Sequence, residues 1–341
     1  MTDFLKSSSL LISTTIKHYL NGPPRPSWDL KNHLTFAKFA SSSNRTKTIE
    51  QLQSVNSVPV PSKTGVIINE LKINNEYRNE AQVHLDKILK PYEHVLDPEW
   101  KNLKDDGIFA EWVQVPNDEW EKREVRKTIL FLHGGAYIFL HKESHRPITS
   151  SLAKIANARV LVINYRLAPQ NQFPAALHDA LAAYLYLLNP PKDAGFEPLN
   201  PKNIVFAGDS AGGGLSLALG DDERLLDEVI YFAHRSAEPT KYKGPSYNAG
   251  KFEKSPFQTP TNTTLEIYEE MPHDFQMLME HVCTTKSYER MAEFINRVTN
   301  ILNEPLPPSS YNCVNVKGEF GPLKERHEKC LNWDKIGIVP S

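Results

Sequence analysis

Val205-Phe206-Ala207-Gly208-Asp209-Ser210-Ala211-Gly212-Gly213 joins a short apolar run to a string of small residues. Asn203 to Ala207 reads as a buried strand and the stretch after Gly208 can open a helix, so Ser210 falls on a strand-to-helix turn. Glycines two before and two after the serine are what a sharp turn demands, because a side chain at Gly208 or Gly212 would collide with neighbouring backbone. Amides of the helix N-terminus then face the serine oxygen, and the Ala211 N–H can donate to a developing oxyanion. Ser210 is the candidate nucleophile. Taken alone, the same five residues also fit a glycine-rich turn such as a phosphate loop.

Working outward, Thr128 to Leu132 and Val160 to Ile163 are continuous aliphatic runs of the kind that form buried parallel strands. Between the second of these and Asn203, residues Phe173, Ala176, Leu177, Ala180, Leu181, Tyr184, Leu185 and Leu188 recur at helical spacing and mark an amphipathic crossover helix. The result is a βαβ unit. The pattern predicts an α/β fold, a mostly parallel sheet with helices on both faces. His133-Gly134-Gly135-Ala136-Tyr137 ends the earlier strand, and glycines there let backbone amides approach a ligand closely. His133 is read as structural, orienting the loop, while the N–H groups of Gly134 and Gly135 are expected to complete an oxyanion hole.

A second helical stripe runs from Tyr288 through Met291, Phe294, Ile295 and Val298 to Leu302, and Pro305, Pro307 and Pro308 stop it. Three regions follow: an N-terminal accessory region over 1–72, a core over 73–304, and an irregular polar tail over 305–341.

Of the 341 residues, 39 are basic and 41 acidic; the net charge of −2 gives no electrostatic footprint for nucleic acid or for an anionic membrane surface. Cys283, Cys313 and Cys330 are odd in number and outside any CxxC spacing, which points to neither a disulfide framework nor a zinc site. No run approaches the roughly 18 apolar residues of a spanning helix, and the N-terminal Leu10-Leu11-Ile12 makes a poor signal peptide. A cytoplasmic location is the expectation from these missing signals. Nothing in the sequence fixes an oligomeric state.

ILFLHGGAY, YRLAPQNQFPAALHDA and VFAGDSAGG stand in the order and at the spacing of the hormone-sensitive-lipase family of α/β-hydrolases, which the chain resembles from about Phe109 to Gly214. Gln170 departs from the family's usual Glu. The resemblance implies an α/β-hydrolase fold with an N-terminal helical cap, a carboxylic-ester hydrolase acting on short-chain acyl or aryl esters, and no metal or organic cofactor. A serine hydroxyl is a weak nucleophile until an imidazole takes its proton. Among 12 histidines, His273 in Glu270-Met271-Pro272-His273-Asp274-Phe275 resembles the family's histidine loop, after the strand-like Thr264 to Tyr268. Glu223, in Gly220-Asp221-Asp222-Glu223-Arg224, falls where the family's catalytic carboxylate sits.

Glu223 follows Ser210 by only about a dozen residues, where the family supplies two further strands and their helices. About nine helical residues at about 1.5 Å each carry the chain roughly 13 Å from the site, and the four that remain cannot bring it back. The sheet is therefore expected to lack one or two strands after the nucleophile helix, leaving Thr264 to Tyr268 to pair beside Asn203 to Ala207. Two alternatives to an active esterase follow: a shortened, catalytically impaired product of an esterase gene, or a non-catalytic relative that binds a small ligand.

Overall fold

The computed structural model describes residues 2–42, 48–55, 65–116, 122, 126–220, 226–241, 244–245, 252–253, 259–299 and 305–323. The chain divides into two compact units, one of residues 1–221 with 272–302, the other of 222–271 with 303–341.

The first unit opens with helices α1 (Thr2–Asn21), α2 (Leu30–Ser42) and α3 (Ile49–Val55). There follow β1 (Ile67–Asn74), α4 (Asn75–Leu89), β2 (Gly107–Gln114), β3 (Thr128–Leu132), α5 (Arg146–Ile155), β4 (Arg159–Ile163), α6 (Ala175–Leu188), β5 (Ile204–Gly208) and α7 (Ser210–Gly220). The second unit holds α8 (Leu226–Ala237), the short pair β6 (Gly244–Pro245) and β7 (Phe252–Glu253), and β8 (Thr264–Tyr268). The chain then returns to the first unit with α9 (Phe275–Leu278) and α10 (Val282–Val298), and ends in the second with β9 (Ser310–Val314) and β10 (Phe320–Pro322).

The main sheet has the order β1-β2-β4-β3-β5. β2 is antiparallel to β1 and β4, while β4, β3 and β5 run parallel. Alternation of side chains splits the strands between two apolar layers. Leu130, Leu132, Leu161 and Ile163 join one cluster with residues of α6, and Ile129, Phe131, Val160 and Val162 join another with α5 and α10. β3 and β4 are buried along their whole length, and after Thr128 and Arg159 at their first positions every residue is aliphatic or aromatic, as strands covered on both faces require. Leu132 pairs with both Ile163 and Gly208, so β3 and β5 end side by side and deliver His133 and Ser210 to the same carboxyl edge of the sheet.

Behind that edge, Asp179 of α6 accepts from Arg78 Nε at 2.7 Å and from Arg166 N at 2.8 Å, and the Arg166 side chain also donates to the Trp100 carbonyl. All three charged side chains are buried. This network fastens the Tyr165-Arg166-Leu167 segment to α4 and α6. On the other side, Gln53 of α3 donates to the carbonyls of Ile138 and Ala168 at 2.8 and 3.2 Å, and exchanges hydrogen bonds with Gln170. The N-terminal region is thereby tied to the segments after β3 and β4. The boundary placed at residue 72 falls inside β1, which pairs over its full length with β2 and belongs to the sheet.

Two expectations are corrected here. Thr264 to Tyr268 does not pair beside β5: as β8 it runs parallel to β9, and β9 is antiparallel to β10 in a separate three-stranded sheet. The tail over 305–341 accordingly supplies two strands rather than irregular chain alone. Ile230 and Ala233 of α8 pack with Leu265 there, and His234 stacks on Tyr311 at 4.1 Å between centroids. Among the described residues β5 is the last strand of the main sheet, and its Phe206, Ala207 and Gly208 are only half-buried, as an edge leaves them.

Candidate active site

Ser210 has φ +49, a left-handed conformation that costs a non-glycine residue roughly 1–2 kcal/mol. The turn around it enforces that conformation. A Cβ on Gly212 would strike the carbonyls of Leu132 and His133, and one on Gly208 would strike Gly212. The two glycines allow β3 to pass directly against the turn. The N–H groups of Gly212 and Gly213 donate to the Asp209 carbonyl at 2.8 and 3.1 Å, which starts α7.

His133 is fully buried and lies flat against Tyr165, with ring centroids 4.2 Å apart. Its Nδ1–H donates to the Gly134 carbonyl at 2.7 Å, and Tyr165 Oη donates to the His133 carbonyl at 2.6 Å. Burial, helped by the neighbouring His145, holds its pKa down to about 3, so the ring is neutral and braces the loop.

One expectation about this loop fails. The Gly134 N–H donates to Asp209 Oδ1 at 3.0 Å and is not left to face an oxyanion. The cause is local: without a Cβ, Gly134 lets the Asp209 carboxylate pack onto its Cα, where any side chain would collide with Oδ2. Asp209 Oδ2 in turn meets Nε2 of the buried His145 at 3.0 Å. Asp209 therefore clamps the two glycine motifs together. The N–H groups of Gly135 and Ala211 meet no acceptor among the described residues. Gly135 has φ +116, and its carbonyl receives the N–H groups of Ile138 and Phe139, a tight turn only glycine adopts freely.

His273 comes to Ser210 across a long stretch of sequence, with Nε2 2.7 Å from Ser210 Oγ. It stands on a turn closed by the Phe275 N–H to the Pro272 carbonyl and anchored by the buried Phe275. The imidazole is 67% exposed. Its Nδ1 has no hydrogen-bond partner among the described residues. Asp274 Oδ2 lies 3.3 Å from the same Nε2 that meets the serine. Glu223 lies outside the described residues.

Sequence reasoning brought Ser210, His273, His133 and the glycines into view, but it missed His145, Tyr165 and Asp274. His145 carries no motif of its own, and Asp274 was visible only as a neighbour of the histidine. A cluster of Glu70, Glu111 and Glu143 has the spacing of a cation site, yet Lys142 reaches all three carboxylates and Arg146 donates to Glu111 at 2.8 Å. These cations already neutralise it.

Residues 129–262 match the model of a family described as having the alpha/beta hydrolase fold. An acetyl-hydrolase of Streptomyces hygroscopicus is 41% identical over 109 residues, 32% of each chain. The carboxylesterase/phospholipase LipF of Mycobacterium tuberculosis is 40% identical over 102 residues, 30% of this chain and 26% of that one. A crystal structure of an esterase from the bacterial hormone-sensitive lipase family superposes with a TM-score of 0.50 at 19% identity, over 80% of this chain and 99% of that one, a likeness of fold. Residues 129–262 are thus similar to an α/β-hydrolase segment, and the matched stretch spans about a third of the length of the curated relatives. No described helix is long and apolar enough to cross a membrane.

Proposed function

We propose that this protein is a carboxylic-ester hydrolase in which Ser210 is the nucleophile and His273 the base. The observation that carries the reading is the 2.7 Å contact between His273 Nε2 and Ser210 Oγ on a turn with the serine at φ +49. Serine attacks the ester carbonyl as its proton passes to Nε2, and the imidazolium then protonates the departing alcohol. The N–H groups of Gly135 and Ala211 receive the oxyanion. Gly134 contributes by holding Asp209, and His133, Gly208 and Gly212 shape the turn. The names of the relatives, esterase and acetyl-hydrolase among them, support small acyl esters as substrates. Glu223 remains the carboxylate that resemblance places third. No step calls for a metal or organic cofactor.

Hydrolysis of p-nitrophenyl butyrate by the purified chain, beside Ser210→Ala and with a thermal melt of each, tests this. Turnover by the parent and about 10⁶-fold less by Ser210→Ala is the expected result. A folded parent that does no better than the variant overturns the reading and leaves a ligand-binding or impaired relative.

A further inference from the structure

Asp274 stands at the N-cap of α9, where an aspartate ordinarily accepts the N–H two or three residues ahead. This one does not. The Met277 and Leu278 N–H groups go to its main-chain carbonyl at 2.9 and 3.3 Å, and its side chain makes no capping bond. With φ +55 the residue directs a carboxylate only 18% exposed toward His273, Oδ2 lying 3.3 Å from Nε2. A carboxylate removed from water in this way costs free energy unless an opposite charge or a donor meets it. The histidine within ion-pair distance of it is the one at the serine.

We propose that Asp274 is the carboxylate that stabilises the His273 imidazolium, acting at the reacting nitrogen itself rather than at Nδ1. The inference rests on the ester-hydrolase reading above. As the Ser210 oxygen bonds to the carbonyl carbon, the carbonyl π pair moves to its oxygen and the serine proton moves to Nε2. The positive charge so formed lies beside Asp274, which stays ionised throughout. Opposite charges within about 4 Å favour the charged form by roughly ten- to a hundredfold. A carboxylate in this position stabilises the charge but does not hold the productive tautomer, which an acceptor at Nδ1 would do. Asp274 is therefore a weaker partner than a third member placed at Nδ1.

The groups facing it are Asp209, His145 and His273. Burial first, and then Asp209, push its carboxyl up to about 6, while the two histidines oppose them. It is ionised at neutral pH, and its contribution is lost as pH falls through about 6.

Two variants keep the backbone, since both asparagine and glycine tolerate the left-handed region: Asp274→Asn and Asp274→Gly. Their rates of Ser210 phosphonylation by a fluorophosphonate are measured from pH 5 to 8, and the His273 ring is titrated by NMR in Ser210→Ala with and without Asp274→Asn. The expected result is labelling about 10- to 100-fold slower at pH 7.5 in both variants, and a His273 midpoint lower by about 1 when Asp274 is replaced. Labelling within twofold of the parent together with an unchanged midpoint overturns the proposal. So does a large loss in Glu223→Gln with none in Asp274→Asn. A folded parent that takes no label sinks the hydrolase reading instead, and the NMR midpoint alone then upholds or overturns the pairing.

Discussion

The two halves of the candidate site are held in very different ways. Ser210 lies between motifs at the ends of adjacent parallel strands, fastened by Asp209 to Gly134 and His145 and wedged by two glycines against the end of β3. His273 stands two-thirds exposed on a turn, with Ser210 and Asp274 as its polar neighbours and Nδ1 unsupported among the described residues. The nucleophile half is part of the fold's core and its chemistry cannot be separated from stability. The base half is carried by a short segment that reaches the site from outside the sheet.

That contrast can be broken by substitution. Gly212→Ala drives a methyl group into the Leu132 and His133 carbonyls and is expected to cost about 3 kcal/mol or to prevent folding, read by chemical denaturation. Asp209→Ala takes from the Gly134 N–H the nearer of its two acceptors, the other being His145 Nε2 at 3.2 Å, and removes the partner of the buried His145, so a loss of about 2 kcal/mol is expected together with reduced turnover. His273→Ala is expected to abolish most activity while moving stability by no more than about 0.5 kcal/mol, because so much of the ring is in water. Equal stability losses in Asp209→Ala and His273→Ala would erase the distinction.

Asp274 sharpens it further. Its carboxyl is raised by burial from the ordinary aspartate value, so the native state binds its proton more tightly than the unfolded chain does. Stability therefore falls as pH rises from about 4 to about 6, and the full cost stands above about 6. Asp274→Asn is expected to be more stable than the parent by about 1–2 kcal/mol at pH 7.5, with the difference fading toward pH 4. A variant that loses activity but gains stability is what a functional carboxylate predicts. Loss of both would make Asp274 a structural residue.

Much of the nucleophile half was legible in the sequence. The runs over Thr128 to Leu132, Val160 to Ile163 and Asn203 to Ala207 became β3, β4 and β5 within a residue or so, because buried parallel strands need unbroken apolar composition. The helical stripe ending at Leu188 became α6, and the one from Tyr288 became the later part of α10. The pairing of β8 with β9 was not legible. Ser310–Val314 reads as a polar segment, and a partner more than forty residues away leaves no local pattern. Nor was the direction of the Gly134 N–H, which depends on where Asp209 packs. Sequence spacing marks which glycines are needed, while the geometry decides which of them still has a hydrogen to offer.

The most direct measurement is fluorophosphonate labelling of the folded chain, with the modified peptide identified by mass spectrometry, in the parent and in His273→Ala. The account predicts a label on Ser210 in the parent and a rate at least about 100-fold lower without the imidazole. A label that forms equally fast in both, or on a residue other than Ser210, would contradict it.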